Sequence, residues 1–230
     1  MSIPTSPSAV LFDLDGTLIE SELSITSFLN CIQDLSLDWK TSEEVRNLQG
    51  ISVEKSAILF GCSEDQIPKF VERYWYHMSN SNHVPTVLPG VYDLLQMLKH
   101  REIPMAIVTN NIVSVAHNSC KNVNLFDYFS YWSGVDLHQA KPSPNGILSA
   151  CEALNVKPNA NVLFVGDSIV DMMAGCRAGV TAVSVLPRED FNKRFTSEVM
   201  QEFIDGGFSF KHFTSCLSLI KEFSGNDACN

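Results

Sequence analysis

The chain has 230 residues, a length that suits one large domain or a domain with a small insertion. Its composition, 45% hydrophobic and 18% charged, is typical of a folded globular protein and excludes an intrinsically disordered chain. The formal charge of −10 argues against a non-specific nucleic-acid surface, because such a surface needs clustered lysines and arginines.

Three further features predict a cytoplasmic protein. No apolar run approaches the roughly 20 residues that span a bilayer, so we expect no membrane insertion. The segment Met1–Ser8 is short and polar and lacks a basic flank, unlike a secretory signal. The seven cysteines form no Cys-x-x-Cys pair and are typical of reduced thiols.

The first strand is predicted at Ala9–Phe12, because a short apolar run with β-branched and aromatic residues is typical of a buried strand. It ends in two carboxylates, Asp13 and Asp15, followed by Gly16 and Thr17. Ligands of open α/β sheets bind at the carboxyl ends of strands, and a divalent cation would relieve the repulsion between the two carboxylates. By itself, this stretch is equally compatible with such a site and with a strand that is followed by a solvated Asp-Gly turn.

The next part of the chain, residues 20 to 82, carries helical patterns and no strand pattern. The predicted helices run from Glu20 to Cys31, from Thr41 to about Gly50, from Val53 to Phe60 and from Ser63 to about Met78. Because this insertion leaves the core domain and returns to it beside Asp13, we expect it to cover the site as a cap. The predicted division is a core of residues 1–19 and 86–230 and a helical cap of residues 20–85.

From Gly90 onward helices alternate with strands, which predicts an α/β fold with a doubly wound, Rossmann-like parallel sheet. Predicted helices are Val91–His100, Asn111–Val123, Ser143–Leu154 and Ile169–Ala178, and predicted strands are Pro104–Thr109, Tyr131–Ser133, Asn161–Val165 and Thr181–Leu186. In the tail, Phe208–Phe210 is interpreted as an edge strand and Ser215–Phe223 as a final helix. The role of the tail after Pro187 is left open.

Polar side chains follow four of these elements. They are Asp13 and Asp15, then Thr109 and Asn110, then Lys141, and finally Asp167 and Asp171. Because Asp171 comes four residues after Asp167, we expect the two on the same face of a helix. Each has an ordinary explanation by itself: a turn, a solvated lysine or an exposed acid. Their occurrence together, each near a predicted strand end, favours a shared site.

The same residues resemble the four motifs of the haloacid dehalogenase-like superfamily, and the resemblance covers nearly the whole chain. The motif residues are Asp13-Leu14-Asp15-Gly16-Thr17, Thr109 with Asn110, Lys141, and Gly166-Asp167-Ser168-Ile169-Val170-Asp171. The insertion after the first motif is similar to the small helical cap of the phosphoglycolate phosphatase-like members. No core motif residue departs from the pattern.

The resemblance implies a Mg²⁺-dependent phosphatase that acts on a small phosphorylated metabolite. Asp13 is then the nucleophile that forms an aspartyl-phosphate, and Asp15 is the general acid and base. The implied magnesium ligands are the Asp13 side chain, the Asp15 carbonyl oxygen and the Asp167 side chain, with Asp171 acting from behind them. The implied phosphate-binding groups are the Leu14 backbone, Thr109, Asn110 and Lys141.

Other activities of the superfamily are less compatible with this sequence. Dehalogenases and phosphonate-cleaving relatives lack the second aspartate, which Asp15 supplies here, and sugar-phosphate mutases usually carry Gly-Val where Gly16-Thr17 stands. The mutase nevertheless remains the nearest alternative. A non-catalytic binding protein would not need every motif residue, and a receiver domain would be shorter and lack the helical insertion.

Substrate choice is expected to reside in the cap, where the sequence is less informative. Arg46, Gln49 and Lys55 are candidates for specificity, although such residues usually lie on solvated faces. Phe70, Tyr74 and Trp75 recur at helical spacing and are interpreted as cap core. We expect a monomer or homodimer without nucleic-acid or membrane partners.

Overall fold

The computed structural model describes residues 3–46 and 51–224 and is organised around a six-stranded parallel sheet. The strand order is β3-β2-β1-β4-β5-β6, so the chain starts in the middle of the sheet and builds outward in both directions. This confirms the predicted doubly wound α/β core. The strands are β1 (Ala9–Phe12), β2 (Met105–Val108), β3 (Tyr131–Ser133), β4 (Val162–Gly166), β5 (Thr181–Val185) and β6 (Lys211–Phe213).

Helices cover both faces of the sheet and fill the insertion after β1. None of the helices that the structure describes has the length and apolar content needed to cross a membrane. The helices are α1 (Glu22–Asp34), α2 (Ser42–Arg46), α3 (Val53–Leu59), α4 (Ile67–Ser79), α5 (Val91–His100), α6 (Val113–Asn122), α7 (Asn145–Ala153), α8 (Ile169–Ala178), α9 (Arg188–Arg194), α10 (Ser197–Asp205) and α11 (Cys216–Ser224), with a 3-10 turn at Phe126–Tyr128.

Strand β1 shows why the sheet is buried on both faces. Its residues point alternately to opposite sides, and all four are fully buried. Val10 and Phe12 belong to one apolar cluster with α5 and α11, whereas Ala9 and Leu11 belong to another with α7 and α8. A continuous apolar strand is therefore the sequence expected for a central parallel strand.

The four helices α1–α4 form a separate apolar cluster beside the sheet. It includes Phe28 of α1 together with Phe70 and Tyr74 of α4, and their rings are in contact, with Phe28 and Tyr74 centroids 4.4 Å apart. Val115 of α6 belongs to the same cluster, so α6 is the core element against which the cap packs. The helix-only insertion predicted from the sequence is thus a packed unit.

Two short chain segments connect this unit to the sheet. Ile19 and Val87 form an antiparallel bridge, and the Glu20 N–H donates to the carbonyl oxygen of Thr86 at 2.9 Å. The Glu20 carboxylate also lies 2.6 Å from His83 Nε2. We propose that the core, residues 1–19 and 86–230, meets the cap, residues 20–85, at this crossing.

The tail differs from the sequence prediction. The predicted edge strand at Phe208–Phe210 is wrong, because β6 begins at Lys211 and pairs in parallel with β5. Phe208 and Phe210 instead pack against Phe203 of α10, with ring centroids 5.3 and 5.2 Å away. Helices α9 and α10 were not predicted, and α9 has no buried residue that would mark it by apolar periodicity.

Candidate active site

Three adjacent strands bring the polar residues to one edge of the sheet. Phe12 at the end of β1 is in register with Ile107 of β2 and with Val165 of β4. Because parallel strands all point the same way, the residues that follow each strand converge. Asp13 and Thr109 are both buried there although each carries a polar side chain.

Asp13 lies at the centre of this edge and is 6% exposed. Lys141 Nζ donates a hydrogen bond to Asp13 Oδ1 at 2.5 Å, and the buried Thr17 hydroxyl donates to Asp13 Oδ2 at 3.3 Å. Burial raises the pKa of Asp13 well above its ordinary value, as do Asp171 and Asp167, while Lys141 opposes the shift. The Asp13 carboxylate is therefore oriented from two sides.

Lys141 is held in place at both its backbone and its ammonium group. The Asn110 side chain brackets its backbone, accepting from the Lys141 N–H at 2.8 Å and donating to its carbonyl oxygen at 3.3 Å. Nζ lies 2.7 Å from Asp171 Oδ1 and donates to the Val108 carbonyl oxygen at 3.1 Å. Burial lowers the pKa of Lys141, but Asp13 and Asp171 more than offset this and raise it, so the side chain stays charged.

Asp13, Asp167 and Asp171 form a buried carboxylate cluster in which one oxygen of each residue lies within 4.8 Å of the others. The expectation that Asp167 and Asp171 share a helix face is wrong, because α8 begins at Ile169, after Asp167. Asp171 instead accepts from the Ser168 N–H at 3.0 Å and from its hydroxyl at 2.5 Å, closing a capping box at the start of α8. An exposed acid, the ordinary explanation for Asp171, is thereby excluded.

Gly16 allows the first motif to approach this cluster. Its φ is +87°, a left-handed conformation that glycine adopts without strain. A Cβ atom at this position would overlap the Asp167 carboxylate. Glycine is therefore required here both by the backbone turn and by the space available.

Asp15 has surroundings different from those of Asp13. It is half-buried, and Asn111 Nδ2 donates to its Oδ2 at 3.4 Å. Burial raises the pKa of Asp15 to about 6, although Asn111 and Lys141 lower it and Asp167 raises it further. A carboxyl group with this pKa can both give and take a proton near neutral pH.

A small chamber of about 50 Å³ lies directly above these residues. We call the strand-end residues that line it the floor: Asp13, Asp15, Thr109, Asn110, Asn111 and Lys141. We call the cap residues that line it the roof: Ser24, Phe28, Ile51, Val53 and Tyr74. A second cavity of about 880 Å³ between cap and core shares Ile51, Val53, Asn110 and Lys141 with the chamber, so the two spaces adjoin.

Comparison with known proteins agrees with this geometry. A model of the family described as haloacid dehalogenase-like hydrolase matches residues 10–185, which include the floor, the roof and the carboxylate cluster. The chain belongs to the haloacid dehalogenase-like hydrolase family. The family resemblance and the hydrolase class predicted from the motifs are therefore confirmed.

Two curated relatives are similar to this chain over most of its length. A phosphoglycolate phosphatase from Chromobacterium violaceum is 32% identical over 190 residues, which cover 77% of this chain and 84% of the relative. The pyrophosphatase PpaX from Oceanobacillus iheyensis is 29% identical over 188 residues, 80% of this chain and 84% of the relative.

Two solved structures show the shared fold. A haloacid dehalogenase-like family protein from Streptococcus pneumoniae has a TM-score of 0.77 at 22% identity, covering 96% of this chain and 100% of its own. A β-phosphoglucomutase from Clostridium difficile has a TM-score of 0.69 at 22% identity, covering 87% and 98%. The fold is therefore common to hydrolases and a mutase.

The sequence-predicted residues of this hydrolase fall into two groups. The structure brings together the predicted catalytic, phosphate-binding and metal residues of the core. Leu14, which separates Asp13 and Asp15 in the sequence, is fully buried. Its carbonyl oxygen accepts a hydrogen bond from the Leu18 N–H at 2.9 Å. The roles assigned to these side chains remain predictions.

Two of the predicted cap residues, Arg46 and Lys55, are described by the structure, and neither lines the chamber. Arg46 pairs with Glu22 at 3.1 Å and lines a separate cavity of about 560 Å³. Lys55 lies in the first turn of α3 and lines the 880 Å³ cavity. Gln49 lies outside the described residues.

Sequence reasoning missed four residues of this hydrolase site. Asn111 directly follows the second motif, so its position was a usable signal. Ser24 and Tyr74 carry only a helical periodicity, which predicts burial and not a site. Arg194, at the end of the unpredicted helix α9, forms an ion pair with Asp167 Oδ2.

Proposed function

We propose that this hydrolase is a Mg²⁺-dependent phosphatase that cleaves a small phosphate monoester through an aspartyl-phosphate on Asp13. The observation that carries the proposal is the position of Asp13. Its carboxylate lies in the chamber, is held by Lys141 and Thr17, and belongs to the buried carboxylate cluster.

The carboxylate cluster fits a hard divalent cation. Asp13, Asp167 and Asp171 offer closely spaced oxygens, the ligand type that Mg²⁺ prefers. Among the described residues, the cations paired with the cluster are Lys141 and Arg194. With Asp15, which lines the same chamber, there are four carboxylates, and when all are ionised they exceed the two cations by two negative charges. We assign Asp13, Asp167 and the Asp15 carbonyl oxygen to the ion, with Asp171 behind them. The bound ion would neutralise the charge of the phosphoryl oxygens.

Asp13 performs the first displacement. One of its carboxylate oxygens bonds to phosphorus while the bond to the ester oxygen breaks, which leaves a phosphoryl group on Asp13. Lys141 and Thr17 hold the carboxylate in a fixed orientation, which favours attack along the line of the breaking bond. Water then attacks the same phosphorus, releasing phosphate and restoring Asp13.

Asp15 moves the protons of both steps. In its neutral form it donates a proton to the ester oxygen as the alcohol leaves, and as a carboxylate it accepts a proton from the attacking water. The pKa of about 6, raised by burial, makes both forms accessible near neutral pH. Asn111 holds the group toward the chamber.

The phosphoryl oxygens require donors from the floor. The Thr109 hydroxyl accepts a bond from the Asn111 N–H at 3.1 Å, so its own hydrogen can point to a ligand. We propose that Thr109, Asn110 and the Leu14 N–H bind these oxygens, with Lys141 offsetting charge through Asp13.

A phosphomutase is the second candidate, and the β-phosphoglucomutase fold is the observation in its favour. Thr17 argues against it. Mutases of this type usually carry valine there, and valine could not make the hydrogen bond that Thr17 donates to Asp13.

The experiment that tests the proposal measures phosphate release from a panel of phosphorylated metabolites and p-nitrophenyl phosphate, with Mg²⁺ and with EDTA. The panel includes phosphoglycolate and pyrophosphate, which the names of two relatives suggest. Metal-dependent release supports a phosphatase, whereas isomerisation of a sugar phosphate without release supports a mutase. Absence of both reactions in a folded protein contradicts the proposal.

We also propose a cytoplasmic location and no nucleic-acid partner. All six cysteines in the described part of the chain are free thiols, five of them buried, as expected in a reducing compartment. Monomer or homodimer stays a prediction.

A further inference from the structure

The roof contains two buried hydroxyl groups that the proposed mechanism does not use. Ser24 Oγ and Tyr74 Oη lie 3.0 Å apart, and both residues line the chamber opposite Asp13 and Asp15. Tyr74 is 5% exposed and Ser24 is 6% exposed. The other roof residues, Phe28, Ile51 and Val53, are apolar.

The hydrogen-bonding capacity of this pair is only half used. Each hydroxyl has one hydrogen to donate, and the single bond between them consumes one of the two. No second acceptor for the remaining hydrogen is found in the part of the chain that the structure describes. Buried polar groups in native proteins almost always find partners, so the remaining hydrogen and the free lone pairs are available to a polar atom that enters the chamber.

The roof also lacks a charge that could bind an anion. Lys141 is the one cation among the described residues that line the chamber, and it already contacts Asp13 and Asp171. Arg46 and Lys55 line other cavities. A carboxylate next to the ester would face Asp15, and the described lining offers no cation beyond Lys141 to balance it, so this is an unfavourable place for a second negative charge.

We propose that Ser24 and Tyr74 are specificity residues that bind a hydroxyl group of the leaving alcohol on the carbon adjacent to the ester carbon. The preferred substrate class is therefore a phosphate ester of a polyol or sugar, with no carboxylate at that position. The proposal rests on the proposed phosphatase function and names its substrate class. Burial raises the pKa of Tyr74, so its hydroxyl stays neutral and can donate to the substrate.

The wild-type test compares three small esters that differ at this position: glycerol 3-phosphate with a hydroxyl, propyl phosphate with none, and phosphoglycolate with a carboxylate. We expect kcat/KM for glycerol 3-phosphate to exceed that for each of the others by roughly tenfold, the effect of one hydrogen bond. A preference for propyl phosphate or phosphoglycolate overturns the proposal.

The variants Tyr74→Phe and Ser24→Ala locate the effect. Each should raise KM for glycerol 3-phosphate roughly fivefold to tenfold with little change in kcat, and leave propyl phosphate and p-nitrophenyl phosphate unchanged. Tyr76→Phe is the matched control, because Tyr76 is on the same helix with its side chain exposed, and it should change nothing. Thermal melting of each variant shows whether the fold is intact.

Two results separate this inference from the proposed function. Equal loss of activity on all esters in a folded Tyr74→Phe variant overturns the specificity role and leaves the phosphatase standing. No Mg²⁺-dependent release from p-nitrophenyl phosphate or any other ester overturns the proposed function, and this inference with it.

Discussion

The floor and the roof of the chamber are built on opposite principles. Floor residues are charged or polar, and their side chains are fixed by specific bonds, such as Lys141 to Asp13 and Asn111 to Asp15. Roof residues are apolar apart from one hydroxyl pair. We propose on this basis that the floor determines which reaction occurs and the roof determines which ester is accepted.

The largest effect is expected at the centre of the floor. Asp13→Asn removes the nucleophile and should lower kcat by at least ~10³-fold on every ester, because no other group occupies its position. Steady-state kinetics with and without Mg²⁺ measures the loss, and circular dichroism checks the fold.

The matched control for this substitution is Asp127→Asn, which changes an exposed acid in the 3-10 turn. It should leave kcat unchanged. Activity of Asp13→Asn near the wild-type level would show that another group is the nucleophile.

The next effect tests how closely the first motif approaches the carboxylate cluster. Gly16→Ala combines a strained backbone with overlap on Asp167, and should cost about 2–4 kcal/mol of unfolding free energy and about a hundredfold in kcat/KM. Urea denaturation and steady-state kinetics measure the two losses.

Gly61→Ala separates the two causes. Gly61 has a φ of +91°, and no atom lies within 4 Å of the place where an alanine Cβ would sit, so its substitution should cost only the strain, about 1 kcal/mol, with activity unchanged. Equal costs for Gly16→Ala and Gly61→Ala would show that the close approach to Asp167 has no energetic consequence.

A third effect is the pH dependence of stability without metal. The pKa of Asp15 is about 6 in the folded protein against an ordinary value of 3.8, so the folded state holds the proton more tightly. The resulting stabilisation is fully present below about pH 4 and is lost as the pH rises through about 6. For this half-buried group we expect the loss to lower the free energy of unfolding by about 1–2 kcal/mol. Asp13 and Asp167, whose pKa values are also raised by burial, act in the same direction.

Denaturation in EDTA from pH 4 to 7 measures this trend, and Asp15→Asn should make it shallower. Added Mg²⁺ should stabilise the protein more at pH 7 than at pH 5, because the ionised cluster is the form that binds the cation. An identical pH trend in Asp15→Asn would show that Asp15 does not titrate in this range.

The smallest effect concerns Arg194, which pairs with Asp167 at the edge of the cluster. Arg194→Gln removes a cation that competes for the Asp167 carboxylate and should tighten Mg²⁺ binding about fivefold, measured by calorimetry. Lys193→Gln, next to it but paired with exposed Glu189 at 3.2 Å, is the matched control and should have no effect. Weaker binding in Arg194→Gln would show instead that Arg194 orients Asp167 for the ion.

Every floor residue except Asn111 was predicted from the sequence, because most of them follow recognisable strands. Asp13 and Thr109 each end an apolar run that forms one of the central strands, and parallel register then places them together. Short runs of this kind are governed by local patterns that a sequence shows directly.

The roof and the tail could not be predicted in the same way. The interpretation of Tyr74 as cap core is correct for its burial, but periodicity does not show that its hydroxyl meets Ser24 fifty residues earlier. Arg194 ends a helix with no buried residue, so no apolar pattern marks it. The positions of Tyr74 and Arg194 depend on how separate elements pack together, and no local sequence pattern indicates that packing.

The most direct test of the account is to detect the phosphoryl group on Asp13. The protein is mixed with Mg²⁺ and an intact phosphate ester that it hydrolyses, and the reaction is quenched in acid within the first turnover. The quenched protein is then digested and analysed by mass spectrometry. We predict that the peptide containing Asp13 gains one phosphoryl group, and that this gain is absent in Asp13→Asn and in the sample with EDTA. An active enzyme whose Asp13 peptide stays unmodified at every quench time, with phosphate released directly to water, would contradict the central claim.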